Sequence, residues 1–385
     1  MRSARAAGAW TARARTLAAW MALVPLLLGA AAAPLDPMNA RDATTFPRAL
    51  GAHPGAGIEW WYVTGILRDD AARPLGFQLT FFRVRVGGDS AFAQPGARAP
   101  SAWRGDLYFG HFAVTDPADD RFRYDERISR TAVALAGADS TDLDVWIRDW
   151  SLRRLDDGRM RLHASGAPGE LDLDLTPPRR RPIAWGPEYV SYKDAARRTF
   201  SRYQSYPRLA AEGRYASPGV PSRAVRGEAW FDHEWSDAVT PPGVAGWDWL
   251  GLRIADGRSV MIYRMRDRKG GTAHVYAAIA RPDGSVDAFR ESQVSLTPLR
   301  TWTSLRTGAR YPVAWRILMT PRGGNPLEIQ VFPALADQEL DTKRSTQVIY
   351  WEGMVEGRAK EDGVQQPVEG YLELTGYAGG PWPAP

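Results

Sequence analysis

The chain has 385 residues, 44% hydrophobic and 24% charged, a globular composition that excludes disorder as the main state and leaves room for two domains. It contains no cysteine, which excludes disulfides, thiolate nucleophiles, zinc–thiolate sites and iron–sulfur clusters together. The net charge of +5 comes mostly from Arg2, Arg5, Arg13 and Arg15; without those four, 45 basic side chains face 44 acidic ones, which argues against a nucleic-acid partner. These arginines open the chain and precede an apolar run over residues 17–30 and the alanines of 30–33, the order of a secretory signal peptide. The run holds Pro25 and is shorter than the roughly 20 residues of a membrane span. The expectation is cleavage near Ala32-Ala33 and a periplasmic or secreted product with no stable membrane span.

Beyond residue 34 no stretch sustains a 3.6-residue period. Short segments alternate between turns rich in Gly, Pro and Asp, so an all-β chain is predicted. In order, strands are expected over residues 60–67, 76–86, 107–116, 145–155, 159–164, 170–175, 226–235, 247–254, 259–266, 274–280, 314–320, 327–332, 347–356 and 368–376. Asp156-Asp157-Gly158 and Asp256-Gly257 mark hairpin turns, where Gly tolerates positive φ. The strand grammar repeats. Trp61 stands four residues before Gly65 and is followed by Phe82-Arg83; Trp247 stands four before Gly251 and is followed by Tyr263-Arg264. Val225-Arg226-Gly227 and Val368-Glu369-Gly370 each lead into an aromatic strand. A join over residues 237–245, where Pro241-Pro242-Gly243 stops any ladder, divides the chain into a leader (1–33) and two β domains (34–237 and 244–385) sized for closed antiparallel barrels.

His53-Pro54 with Glu59-Trp60-Trp61-Tyr62-Val63-Thr64-Gly65, the run from Gly76 to Arg83 and the run from Tyr108 to Asp116 resemble the start of an AttH-type protein. Phe231-Asp232-His233-Glu234-Trp235, Gly246-Trp247-Asp248-Trp249 and the run from Gly370 to Tyr377 continue the likeness. That family includes carotenoid 1,2-hydratases (hydroxyneurosporene synthases) and secreted proteins described as hydrolases. The resemblance implies two consecutive lipocalin-like barrels.

Alternation along 226–235 puts Ala229, Phe231, His233 and Trp235 on one apolar face and Trp230, Asp232 and Glu234 on the other. His233 is then inside a barrel, either a general base or a hydrogen-bonded core residue. Asp232 and Glu234 are surface or interdomain carboxylates. Successive strand residues point to opposite faces, so Asp-His-Glu is not read as a metal site, and neither metal nor cofactor is expected. Asp248 shares a face with Leu250, Leu252 and Ile254, where desolvation favours the protonated acid unless Arg264 or Arg266 pairs with it. Glu59, beside Trp61, Val63 and Leu67, is the second candidate acid. Trp60, Trp61, His111, Phe231, Trp235, Trp247 and Trp249 are candidates for lining a pocket, with core packing as the plainer role. No nucleophile elbow, P-loop, dinucleotide fingerprint or His-Glu-x-x-His is present. The expected function is binding of a hydrophobic isoprenoid or lipid-like molecule, with water added to it through His233 and Asp248. The rivals are a lipid carrier without chemistry, working with an ABC-type export system, and a carbohydrate hydrolase built on carboxylates such as Glu59 and Asp248.

Overall fold

A computed structural model describes residues 45–85, 105–131, 135–179, 181–186, 189–238 and 240–379; the leader expected over 1–33 lies outside them. The described residues form strands throughout and hold no α-helix. The first antiparallel sheet contains β1 (Ile58–Arg68), β2 (Pro74–Val84), β3 (Leu107–Asp116), β4 (Arg121–Arg130), β5 (Ala136–Ala138), β6 (Asp144–Ile147), β7 (Trp150–Arg154), β8 (Met160–Gly166), β9 (Gly169–Thr176), β10 (Ile183–Ala184), β11 (Val190–Tyr192), β12 (Phe200–Ala216) and β13 (Arg223–Ser236). Its order is β4-β3-β2-β1-β13-β12-β9-β8-β7-β6-β5, with β10 and β11 paired to β12.

The second sheet contains β14 (Val244–Ile254), β15 (Ser259–Asp267), β16 (Thr272–Ala280), β17 (Val286–Phe289), β18 (Val294–Thr303), β19 (Arg310–Met319), β20 (Leu327–Pro333), β21 (Glu339–Thr342), β22 (Val348–Glu361) and β23 (Val364–Thr375). Its order is β17-β16-β15-β14-β23-β22-β20-β19-β18, with β21 on β22. Both sheets follow one path: four strands in sequence, then the last two, then the middle strands in reverse. The chain passes from one sheet to the other between Ser236 and Val244.

Each sheet curls around its own core. Leu79 of β2, Phe112 of β3, Val145 of β6, Leu162 of β8 and Phe231 of β13 share one cluster. Leu250 of β14, Trp315 of β19, Val331 of β20 and Leu372 of β23 share the other, against which Phe289 of β17 and Leu296 of β18 pack. A third cluster joins the outer faces: Tyr62, Ile66, Trp185, Tyr203 and Trp230 of the first barrel meet Trp249, Met261, Tyr263, Met354 and Tyr371 of the second. Trp185 stacks on Trp230 with centroids 6.0 Å apart, and Trp249 meets Trp230 edge-on at 5.7 Å. Such aromatic pairs contribute roughly 0.5–1.5 kcal/mol beyond their buried area. The barrels are therefore packed over a broad apolar seam.

The repeat seen in the sequence is topological rather than positional. Trp61 and Gly65 face the first barrel's interior, where a Cβ on Gly65 would lie 2.4 Å from the Phe77 ring. Trp247 and Gly251 face the seam, where a Cβ on Gly251 would lie 2.4 Å from the Trp249 ring. In both places glycine makes room for an aromatic ring. The segment predicted as one strand over 145–155 is two, broken at Arg148, which takes a φ of 58°. Gly158 and Gly257 take φ of 89° and 94° in their hairpin turns.

Candidate functional site

The two barrel interiors contain the residues on which the sequence places chemistry, and both interiors are filled. His233 is fully buried on β13, its ring stacked on Trp61 at 4.9 Å. Its Nε2 lies 2.9 Å from Glu59 Oε1 and its Nδ1 3.0 Å from the Ala49 carbonyl. Glu59 is the hub of this network. Its Oε1 is 2.7 Å from His53 Nδ1, its Oε2 accepts from Arg83 Nε at 3.0 Å, and the His53 backbone N–H donates to both oxygens. Arg83 continues to Asp106 at 3.0 Å. The Arg83 guanidinium and the two imidazoles outweigh the cost of burial and hold the Glu59 carboxyl well below its usual range. That environment favours the ionised form of Glu59.

His53, Glu59 and His233 could by position offer ligand atoms to a metal. His53 Nδ1 and His233 Nε2 are instead bonded to Glu59 Oε1, and the Arg83 cation stands against the same carboxylate. This donor set fits a hydrogen-bonded network better than a cation.

Asp248 lies inside the second barrel. Arg264 donates to Oδ2 at 2.7 Å, Arg266 to Oδ1 at 3.0 Å and the Tyr377 hydroxyl to Oδ1 at 2.8 Å. The ion-pair alternative considered for Asp248 is the one present. His233 and Asp248 are not brought together: each is bonded within a different barrel. Trp61, Phe231 and Trp235 also belong to the first interior, around His233.

The cavity lies in the seam. It holds about 760 Å³ of atom-free space, counting its mouth, and is bounded by Trp60, Tyr62 and Phe82 from the first barrel and by Trp247, Trp249, Tyr263 and Met265 from the second. Trp60, Phe82 and Trp247 are half-buried, while Tyr62, Trp249, Tyr263 and Met265 are buried. Four carboxyl side chains line the same space: Asp232 and Glu234 from β13, Glu352 from β22 and Glu373 from β23. Strand alternation explains their placement. On β13, His233 points inward while Asp232 and Glu234 point outward into a face the second barrel covers.

These carboxyls are not equivalent. Glu234 pairs with Lys193 Nζ at 2.6 Å and accepts from Ser201. Asp232 accepts from Tyr203 at 2.7 Å, from the Trp230 indole at 2.5 Å and from Ser205. Burial outweighs those donors and pushes its pKa up to about 7. Glu352 and Glu373 stand directly opposite each other across β22 and β23, a position that brings Cβ atoms to roughly 4.5–5.5 Å. Burial first, and the facing carboxylate second, push Glu352 well above its usual range. Burial pushes Glu373 up to about 7. Two acids so placed cannot both ionise cheaply, so the pair keeps a proton at neutral pH.

Behind the cavity wall runs a directed hydrogen-bond chain. Ser345 donates to Glu126 Oε2 at 2.5 Å, so the His111 Nε2–H donates to Ser345 Oγ at 3.1 Å. His111 Nδ1 is left to accept from the Tyr350 hydroxyl at 2.8 Å, and Tyr350 lines the cavity. Burial depresses the His111 pKa to about 3, which keeps the ring neutral. His111 thus faces the seam and supports the cavity from behind.

Trp60, Trp247 and Trp249 are the sequence candidates that line the cavity. The sequence does not single out Lys193, Tyr203, Tyr350, Glu352 or Glu373, and it gives Asp232 and Glu234 only as surface or interdomain carboxylates. A signal for Glu352 existed: it lies within Tyr350-Trp351-Glu352-Gly353-Met354, a carboxyl in a strand apolar on both faces.

Fold and site together define the class: a tandem β-barrel protein with an acid-lined, aromatic cavity between the barrels. A family model described as AttH-like matches residues 37–377, and the chain belongs to the AttH-like family. It is 36% identical to an AttH protein of Nitrosomonas europaea, matching over 90% of this chain and 99% of that one with a TM-score of 0.76. Kievitone hydratase from Nectria haematococca shares the fold at 12% identity, over 85% of this chain and 91% of its own, with a TM-score of 0.63. CghA, solved with Sch210972, shares it at 14% identity, over 85% and 90%, with a TM-score of 0.53. No curated protein matches the sequence.

Proposed function

We propose that this protein is a hydratase that adds water to a carbon–carbon double bond of a hydrophobic molecule held in the seam. The observation that carries the reading is the directly opposed Glu352–Glu373 pair, Glu352 buried and Glu373 half-buried, lining an aromatic cavity together with Asp232. Glu352 gives its proton to one alkene carbon, and the other carbon becomes cationic. The faces of Trp249 and Tyr203 and the ionised Glu373 stabilise that charge. Water bonds to the cation and loses a proton to Glu373, so the pair ends with the one proton it began with. The cited relatives in fold lend support, one being named a hydratase and another being solved with a small molecule.

The test is incubation of the purified protein with isoprenoid alkenes such as geraniol and farnesol in heavy-oxygen water. A product heavier by one labelled water is expected, and Glu352→Gln is expected to lower its rate roughly 10²–10⁴-fold. Binding of these alkenes with no labelled product would leave a carrier and sink the hydratase reading. Export is part of the proposal and rests on the Arg-led apolar run alone. Amino-terminal sequencing of protein from the cell envelope is expected to start between Ala31 and Pro34; an intact Met1 would remove export.

A further inference from the structure

Two buried polar atoms of the cavity wall have no hydrogen-bond partner among the described residues: the Tyr62 hydroxyl and Glu352 Oε1. Tyr62 is 7% exposed on β1 of the first barrel, and Glu352 is 2% exposed on β22 of the second. The other polar groups of the wall are engaged. Tyr203 accepts from the Trp249 indole at 2.9 Å and donates to Asp232, Tyr350 is bonded to His111, and Tyr263 donates to the Tyr192 carbonyl. A buried polar atom left unpaired in apolar surroundings is costly. Two of them on facing barrels and on one cavity point to a ligand that supplies the missing partner.

Charge narrows what that ligand is. Of the described lining residues, Lys193 is the one cation, and Glu234 holds it at 2.6 Å while its ammonium also lies over the Tyr263 ring. An anion entering the cavity would meet Asp232, Glu352 and Glu373 with no free cation to receive it. Apart from Thr80, the remaining wall is Ile58, Trp60, Phe82, Trp247, Trp249 and Met265, which suits a hydrocarbon body.

We infer that the seam takes an uncharged amphiphile, a terpenoid-sized hydrocarbon with a hydroxyl or carbonyl oxygen held between Tyr62 and Glu352, and that it rejects the same skeleton ending in carboxylate or phosphate. This rests on the seam being the ligand site of the proposed hydratase. It adds that the oxygen bridges the two barrels, so binding ties them together.

The experiment titrates the full chain with one skeleton carrying different ends, read by quenching of tryptophan fluorescence. The probes are farnesol, farnesoic acid, farnesyl phosphate, farnesylamine and the hydrocarbon farnesene. Near neutral pH farnesol is expected to bind at least about tenfold tighter than the acid or the phosphate, the loss that follows when one charged or unpaired group is buried. Farnesoic acid is expected to regain affinity as falling pH protonates it. Tyr62→Phe is expected to weaken farnesol about five- to tenfold and leave farnesene unchanged. Should that variant not fold, the ligand series on the natural chain decides alone. Equal binding of farnesol and farnesoic acid near neutral pH would overturn the inference, as would tightest binding by farnesylamine. Selective binding of farnesol without labelled water in the product sustains the inference and removes the hydratase reading. Labelled product formed equally from farnesol and farnesoic acid does the reverse.

Discussion

Glu59 in the first barrel and Glu352 in the seam are both buried glutamates on central strands, yet their chemistry is opposite. Glu59 has Arg83, two imidazoles and a backbone N–H around it, and its carboxyl is held well below the usual range. Glu352 faces a second carboxyl and, among the described residues, no cation, and its carboxyl is held well above. Burial is common to both; what differs is the sign and number of the partners. A buried carboxyl beside a cation is held ionised, and a buried carboxyl facing another acid is held protonated.

The contrast is broken most severely by removing the cation from the first barrel. Arg83→Met leaves Glu59 buried without its cation and is expected to cost about 3–5 kcal/mol by chemical denaturation. Glu352→Gln, which removes a buried acid that faces another, is expected to leave stability at or above that of the natural chain. Equal losses in the two variants would erase the distinction.

Asp248→Asn tests whether a second barrel interior behaves like the first. It leaves Arg264 and Arg266 without their carboxylate and is expected to cost about 3 kcal/mol. Turnover per folded molecule should stay unchanged, since Asp248 is bonded away from the seam. A loss of turnover in well-folded Asp248→Asn protein would restore it as a catalytic candidate.

The pH dependence of stability separates the regions by sign. Asp232 and Glu373 have folded values raised to about 7, so what they contribute is complete below their ordinary range and lost as pH rises through 7. Glu59 has a depressed folded value, so its contribution is present above the ordinary range and lost as pH falls through that folded value. Melting temperature is expected to fall as pH rises from the ordinary carboxylate range to about 7, and to fall again in strong acid. Asp232→Asn should flatten the first of these slopes by at most about 1.4 kcal/mol per pH unit, the slope of one proton. An unchanged slope below about pH 7 would show that this acid does not titrate there.

The smallest effect is expected behind the cavity wall. Ser345→Ala removes the link between His111 and Glu126 and should cost about 1 kcal/mol. Its readout is the nitrogen NMR of His111, where the preference for the Nε2–H form should weaken. An Nδ1–H form in the natural chain would mean that Tyr350 is not the donor.

Much of the strand pattern was legible because alternation is local. The strand over 107–116 is observed with those limits, and those of 247–254 and 259–266 differ by a few residues at their ends. β12 was missed, and for an instructive reason. Its buried positions include Ser201, Gln204 and Ser205, polar residues that read as a loop until their partners Glu234, Ala49 and Asp232 are known. β4 was missed because its Arg- and Glu-rich sequence is only half covered. The polarity that hid β12 is the polarity that holds the cavity acids.

What the sequence by itself determined was the division of faces: Asp232 and Glu234 against His233, and Asp248 against Trp247 and Trp249. That follows from the two-residue period of a strand and needs no knowledge of the fold. Which outer face meets solvent and which meets a second barrel is not encoded in that period, because a polar residue alternates in the same way in both settings. Only the packing of one sheet on the other put Asp232 into a closed seam. Only the pairing of β22 with β23 put Glu352 opposite Glu373. Proton chemistry depends on burial and on facing charges, both set by residues distant in the chain, so the tertiary structure decided where the acids are.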